Sequence, residues 1–261
     1  MKIQIYLLIF SLNYGCSGQS EKSILSNGNQ NQIPITPKSV LSENVYRIQN
    51  LKELNKAENS DTYELTRQKI EIQRRQLKAN NIQIDSVGKL FEESLINKII
   101  PFWEGTEWSF EGHTSKPKSG KIACGYFVST TLQDIGLNLN RYKLAQQSPV
   151  NEAKSLALNT EVKEISEAST VENISVIKEY LKEGIHFIGF DENHVGYVLK
   201  RNGELYLIHS NYMNSVGVEI EQIEKSDVFN SYRKFHIVEL STNEKMLEHW
   251  INGEKIEIVI K

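Results

Sequence analysis

The dipeptide Asn202-Gly203 lies between two apolar-rich runs of equal length, His194 to Arg201 and Glu204 to Asn211. Asn-Gly in that setting is the strongest short-range signal for a β-hairpin closed by a two-residue type I′ turn. The turn sets the register, placing Arg201 opposite Glu204, Gly196 opposite His209 and His194 opposite Asn211. Opposed residues share a face, so His194, His209 and Asn211 point one way. Val195, Tyr197, Leu199, Tyr206 and Ile208 point the other way and are expected to enter the core. The assignment depends on parity, because one bulged residue in the turn would exchange the two faces.

A second constraint comes from the segment around Cys124. Phe127, Val128, Thr131, Leu132 and Ile135 recur at helical spacing, and Gly136 is a natural helix stop. Cys124 is therefore expected at the N-terminus of a buried helix. Unpaired backbone N–H groups and the positive end of the helix dipole favour a thiolate there. The same groups would stabilise the oxyanion formed when that thiolate attacks a carbonyl. A buried structural cysteine is the plain alternative. Two histidines and an amide on one hairpin face supply a base and a group to orient it. A metal site is the rival use of these residues. Their spacing fits no common zinc pattern, and the expectation is no metal and no cofactor.

The first residues bear on location. Lys2 precedes the apolar run Ile3 to Phe10, which is shorter than the roughly 20 residues a spanning helix needs and reads as a secretory signal. Gly15-Cys16 then resembles a bacterial lipoprotein cleavage site, with cleavage by an ordinary signal peptidase as the alternative. A lipidated Cys16 would hold the chain at a membrane in the cell envelope, with residues 1–16 removed or anchoring. Residues 17–38, rich in Ser, Asn, Gln and Gly with Pro34 and Pro37, read as a flexible tether. Residues 39–98 read as a helical region. Within it Asp61 or Thr62 caps a helix running to about Asn80, with Tyr63, Leu65, Ile70, Ile72 and Leu77 as its apolar face.

Composition excludes several classes. The net charge of -3, from 30 Lys and Arg against 33 Asp and Glu, gives no basic surface for nucleic acid. Two cysteines cannot make a disulfide scaffold. His113, His186, His236 and His249 lack a sequence partner and read as surface or packing residues, and Asp191 as a turn former. Ser169 to Glu172 forms a capping box for a helix that Gly184 ends. Met246 to Ile260 reads as a short helix, an Asn252-Gly253 turn and a closing strand.

The order of these segments carries a resemblance. Phe102 to Gly112, with Gly105-Thr106 and Trp108, then Gly120 to Val128 around Cys124, then Asn140-Arg141, His194-Val195-Gly196 and Ile208-His209, resemble the NlpC-type cell-wall cysteine peptidases of the papain-like superfamily. Gly217 to Ile220 and Arg233 to Phe235 suit that family's closing strands. The likeness runs from Ile100 to Leu240. It implies an α+β fold in residues 99–261, a nucleophile helix packed on an antiparallel sheet, with the helical region in front. It further implies Cys124 as nucleophile, His194 as general base and acid, and His209 as the residue orienting His194. Departures are Ala123 where the family has Asp, Gly125-Tyr126 where it has Ser-Gly, and Trp108 where it has Tyr.

The expected activity is hydrolysis of an amide bond in peptidoglycan stem peptides through a Cys-His-His triad and a thioester. Trp108 and Asn211 are the expected oxyanion or substrate contacts. The alternatives are a cysteine amidase or protease acting on another acyl substrate, and a catalytically silent binding lipoprotein. The expected partners are peptidoglycan peptides and, through Cys16, a membrane, with no nucleic acid.

Overall fold

The computed structural model describes residues 62–79, 83–191, 193–213 and 216–260. The signal segment, Cys16, the tether and residues 39–61 of the helical region lie outside the described residues. Among the described residues no helix is long and apolar enough to cross a membrane.

The hairpin forms in the expected register. β3 (His194–Arg201) and β4 (Glu204–Asn211) pair from Tyr197 opposite Ile208 to Arg201 opposite Glu204. Asn202 and Gly203 both have positive φ, 54° and 75°, as a type I′ turn requires. Around this hairpin the chain builds one six-stranded sheet in the order β1-β6-β2-β3-β4-β5, antiparallel throughout. The remaining strands are β1 (Lys163–Ile165), β2 (Gly184–Phe190), β5 (Gly217–Gln222) and β6 (Phe235–Glu239). With its helices the fold is α+β.

Both faces of the sheet are covered. On the first, Val195, Tyr197, Leu199, Tyr206 and Ile208 join the larger core, as expected. The helices contributing to it are α1 (Tyr63–Ala79), α2 (Ile84–Glu93), α4 (Cys124–Asp134), α6 (Pro149–Ala157) and α9 (Glu244–Asn252). Two shorter helical pieces complete this side, α3 (Ile100–Trp103) and α5 (Arg141–Ala145). On the second face Val198, Leu205, Leu207, Ile188 and Phe190 form a separate core with Ile177 of α7 (Thr170–Tyr180) and with Phe229 of the short α8 (Asp227–Asn230). The histidine-bearing face is thus also buried. The reason is visible in β3 and β4, whose apolar residues run nearly without interruption, the pattern of strands covered on both sides.

α1 begins as expected, with Leu65 N–H donating to Thr62 Oγ1 at 3.2 Å. Its buried stripe is narrower than expected. Thr66, Ile70 and Leu77 are buried, whereas Leu65 and Ile72 face solvent, Ile72 at 57% exposure. α2 continues through a π-helical stretch, Ser94–Ile99, into α3. The boundary drawn between residues 98 and 99 falls inside this continuous helical run. Val87, Phe91 and Leu95 pack in the same core as Phe127 and Trp250.

The capping box forms at α7, with Ser169 Oγ accepting from Glu172 N and Glu172 Oε2 from Ser169 N. That helix stops at Tyr180, and Gly184 instead opens β2 at φ 137°. The tail departs from expectation. α9 ends at Gly253 with φ 68°, but the following residues make only one parallel bridge, Asn138 with Lys255, in place of a closing strand. The backbone there is taken up outside the sheet, Ile256 N–H donating to Asn138 O and Val259 N–H to Ser155 Oγ, and in this tail Ile256 alone is buried.

Candidate active site

The segment leading to Cys124 is fastened to the far edge of the sheet. Gly105 N–H donates to Val218 O and Val218 N–H to Thr106 O, laying the loop along β5. A Cβ on Gly217 would stand 2.1 Å from Thr106 O, and its φ is 82°, so glycine is required there. The loop then returns, with Ile122 N–H donating to Glu107 O, Ala123 N–H to Gly112 O and Ser210 Oγ to Ile122 O.

Cys124 opens α4. The preceding Ala123 is extended and offers no side-chain cap, so no side chain takes up the first-turn N–H groups. The half-buried thiol lies near the backbone N–H groups of Val195, at the start of β3, and of Gly125 and Cys124 itself. Burial pushes the thiol up to about 11, more than these N–H groups lower it, and the nearby Glu152 carboxyl pushes the same way. The resting group is a neutral thiol, where the helix position alone led to an expected thiolate.

β3 and β4 bring the two histidines together. His194 Nε2 lies 2.9 Å from His209 Nδ1, and His209 Nε2 lies 3.0 Å from Glu221 Oε1 of β5. Gly196 permits this approach, since a Cβ there would meet both His209 Cβ and Ile208 O at 2.9 Å. Both imidazoles are fully buried. Phe190, Tyr212 and Tyr232 pack around His194, with ring centroids at 5.2, 5.4 and 6.5 Å. Burial, then the neighbouring His209, holds His194 well below the usual histidine range. Among the described residues His194 Nδ1 has no hydrogen-bond partner.

The register places Cys124 and the histidines on different sides of the sheet. α4 covers the Val195 and Tyr197 face, with Phe127 6.0 Å from Tyr197 and Thr131 Oγ1 2.7 Å from its hydroxyl. His194 and His209 project from the other face. The two sides meet at the beginning of β3, where the thiol lies near the N–H of Val195, the residue next to His194. Tyr232 spans this end, within electrostatic reach of Cys124 and nearly parallel to the His194 ring. Its hydroxyl donates to Asn193 Oδ1 at 2.7 Å and lies 3.2 Å from the Tyr212 hydroxyl.

The other sequence candidates fall as follows. Trp108 is half-buried beside Tyr212, ring centroids 6.1 Å apart. Asn211 shares the histidine face, but its amide donates to Glu219 Oε1 and its carbonyl accepts from Met213 N. His209, not Asn211, therefore bonds His194. His113 is exposed, His186 and His236 are buried, and Asp191 turns the chain at φ 41°.

Glu221, Tyr212, Tyr232 and Glu152 escaped sequence reading. Glu221 could have been found by carrying strand parity from His209 into β5, which pairs His209 with Glu219 and Leu207 with Glu221. Nothing in the sequence marks Glu152. His209, Glu219 and Glu221 also bring ligand atoms within 4.8 Å of one another, a donor set able to hold a cation. His209 Nε2 is engaged there by Glu221 and Glu219 by Asn211. Comparison with protein-family models, with curated proteins and with solved structures returns no match.

Proposed function

We propose that the chain is a papain-like, NlpC-type cysteine hydrolase, with Cys124 as nucleophile and His194 as base, that cleaves amide bonds in peptidoglycan stem peptides. One observation carries the chemistry. A buried His194–His209–Glu221 chain ends at the start of β3, where the thiol of a helix-terminal cysteine lies near the next backbone N–H. The substrate class rests on the order of the resembling segments and on the export-like first sixteen residues.

The thiol and imidazole begin neutral. As the sulfur attacks the carbonyl carbon, the thiol proton passes to His194 Nδ1. The oxyanion develops at the first turn of α4, where the uncapped N–H groups stabilise it. The imidazolium then protonates the leaving amine, the C–N bond breaks and a thioester remains. Water attacks it, giving its proton to His194, and the carboxylic acid leaves as the thiol is restored. Trp108, Tyr212 and Tyr232 form the aromatic surround in which a substrate would lie.

The test uses the full chain in mild detergent with purified peptidoglycan and defined stem peptides, beside Cys124→Ala, with products read by mass spectrometry. New fragments that disappear in Cys124→Ala are expected. Cleavage surviving that substitution overturns the mechanism. Absence of fragments, with acylation of Cys124 by simple activated esters, moves the assignment to another acyl substrate.

A further inference from the structure

We propose that Glu221 is a positioning residue that fixes the tautomers of His209 and His194, leaving His194 Nδ1 unprotonated at the start of β3, the end of the strand nearest Cys124. This rests on the cysteine-hydrolase reading above. An ionised carboxylate only accepts hydrogen bonds, so the 3.0 Å contact with Glu221 Oε1 requires the hydrogen on His209 Nε2. A neutral His209 then carries its lone pair at Nδ1. His194 Nε2, 2.9 Å away, must bring the hydrogen to that lone pair. The remaining nitrogen of a neutral His194 is Nδ1, now a lone pair, which is the form a general base needs.

The surroundings support each step. Burial raises Glu221, but hydrogen bonds from His209 and Ser226 outweigh it and hold the carboxyl below its ordinary range. The second carboxylate facing His209, Glu219, is farther away at 3.9 Å and takes the Asn211 amide at 2.6 Å. His194 is enclosed by Phe190, Tyr212 and Tyr232, which offer its ring carbons no competing charge. Reversing the polarity requires either a protonated Glu221 or a doubly protonated His209. Either would put the hydrogen on His194 Nδ1 and leave the thiol without an acceptor.

The full chain with 15N-labelled histidine answers this at pH 7.5, through long-range 1H–15N correlations that read each imidazole nitrogen. The expected pattern is hydrogen on Nε2 and none on Nδ1 for both His194 and His209. Hydrogen on His209 Nδ1, alone or with Nε2, overturns the proposal. In turnover assays Glu221→Leu is expected to lower kcat about 10²-fold with KM little changed. Glu221→Gln, whose carbonyl still accepts from Nε2, is expected to recover most of that loss. Unchanged kcat in Glu221→Leu also overturns the proposal. Should no peptidoglycan substrate be turned over, the hydrolase reading fails while the nitrogen pattern still decides the tautomers. Should Glu221→Leu not fold, the wild-type pattern decides alone.

Discussion

Glu152 is the least compensated ionisable group near Cys124. It is 2% exposed, its Oε2 is buried without a hydrogen-bond partner, and burial alone drives its carboxyl well above the ordinary 4.5. A Cβ on Gly125, the second residue of α4, would meet Ala145 O at 2.8 Å and Glu152 Oε1 at 3.1 Å, so glycine there makes room for both. A carboxyl raised in the folded state binds its proton more tightly than in the unfolded chain. Folding is then penalised increasingly as pH rises above 4.5, until the folded value is reached. Glu152→Gln is therefore expected to stabilise the protein at pH 8 by roughly 1–3 kcal/mol, with little gain at pH 5. Urea unfolding at the two pH values reads this, and a gain independent of pH would mean that folding does not hold the Glu152 carboxyl above its ordinary range. The contrast with Cys124 shows what single residues disclose. Cys124 announced itself through a local pattern, a helix start followed by apolar residues at helical spacing. Glu152 and Glu221 act through neighbours remote in sequence, and no local pattern carries that.

The hairpin was the most legible element, because Asn202-Gly203 admits few turn geometries and every later face assignment follows by counting. The counting placed His194 and His209 on one face correctly. It left open what covers that face, since coverage depends on α7 and α8, whose packing partners are far along the chain. The tail shows the opposite failure. An alternating segment after Gly253 reads as a strand, but it joins no sheet edge and makes a single bridge, Lys255 with Asn138 of the loop after α4. Gly196 tests the hairpin's part in the site. An added Cβ would press on His209 Cβ and Ile208 O at 2.9 Å, both parts of β4, and the surrounding sheet has little room to yield. Gly196→Ala is expected to cost about 1–3 kcal/mol and to lengthen the His194–His209 contact. Activity should fall more than folding does, at a temperature where the variant remains native by circular dichroism. Full activity in a folded Gly196→Ala would show that the contact tolerates displacement and is not needed for turnover.

Across the sheet, three of its four buried histidines are shifted alike: His186 in β2, His194 in β3 and His236 in β6. All three are held below the ordinary 6.5, chiefly by burial, His186 to about 4. His186 Nε2 donates to Lys182 O at 3.0 Å, while its Nδ1 is buried without a partner. Lys200, which pairs its ammonium with the Lys178 and Leu181 carbonyls at the end of α7, adds a further charge against protonation. The sign follows directly. Below 6.5 the unfolded chain takes up protons that the native sheet refuses, so stability falls as the pH drops. For His186 alone the loss accumulates to about 3 kcal/mol by pH 4, at about 1.4 kcal/mol per pH unit for each refused proton. Carboxylates held low, Glu71 and Glu221 among them, add to the loss only below 4.5. Between pH 6.5 and 4.5 the histidines pull stability down as the pH falls while the raised carboxyls of Glu152 and Asp134 pull it up, so the histidine share is the part that a histidine substitution removes. Urea unfolding of the wild type and His186→Phe at half-unit intervals from pH 7.5 to 4.5 should show a stability difference that is constant above 6.5 and then shifts against the wild type by about 1.4 kcal/mol per pH unit, one proton's share of the slope. A slope unchanged by the substitution would mean that the His186 ring reaches water in the native protein, contrary to its complete burial.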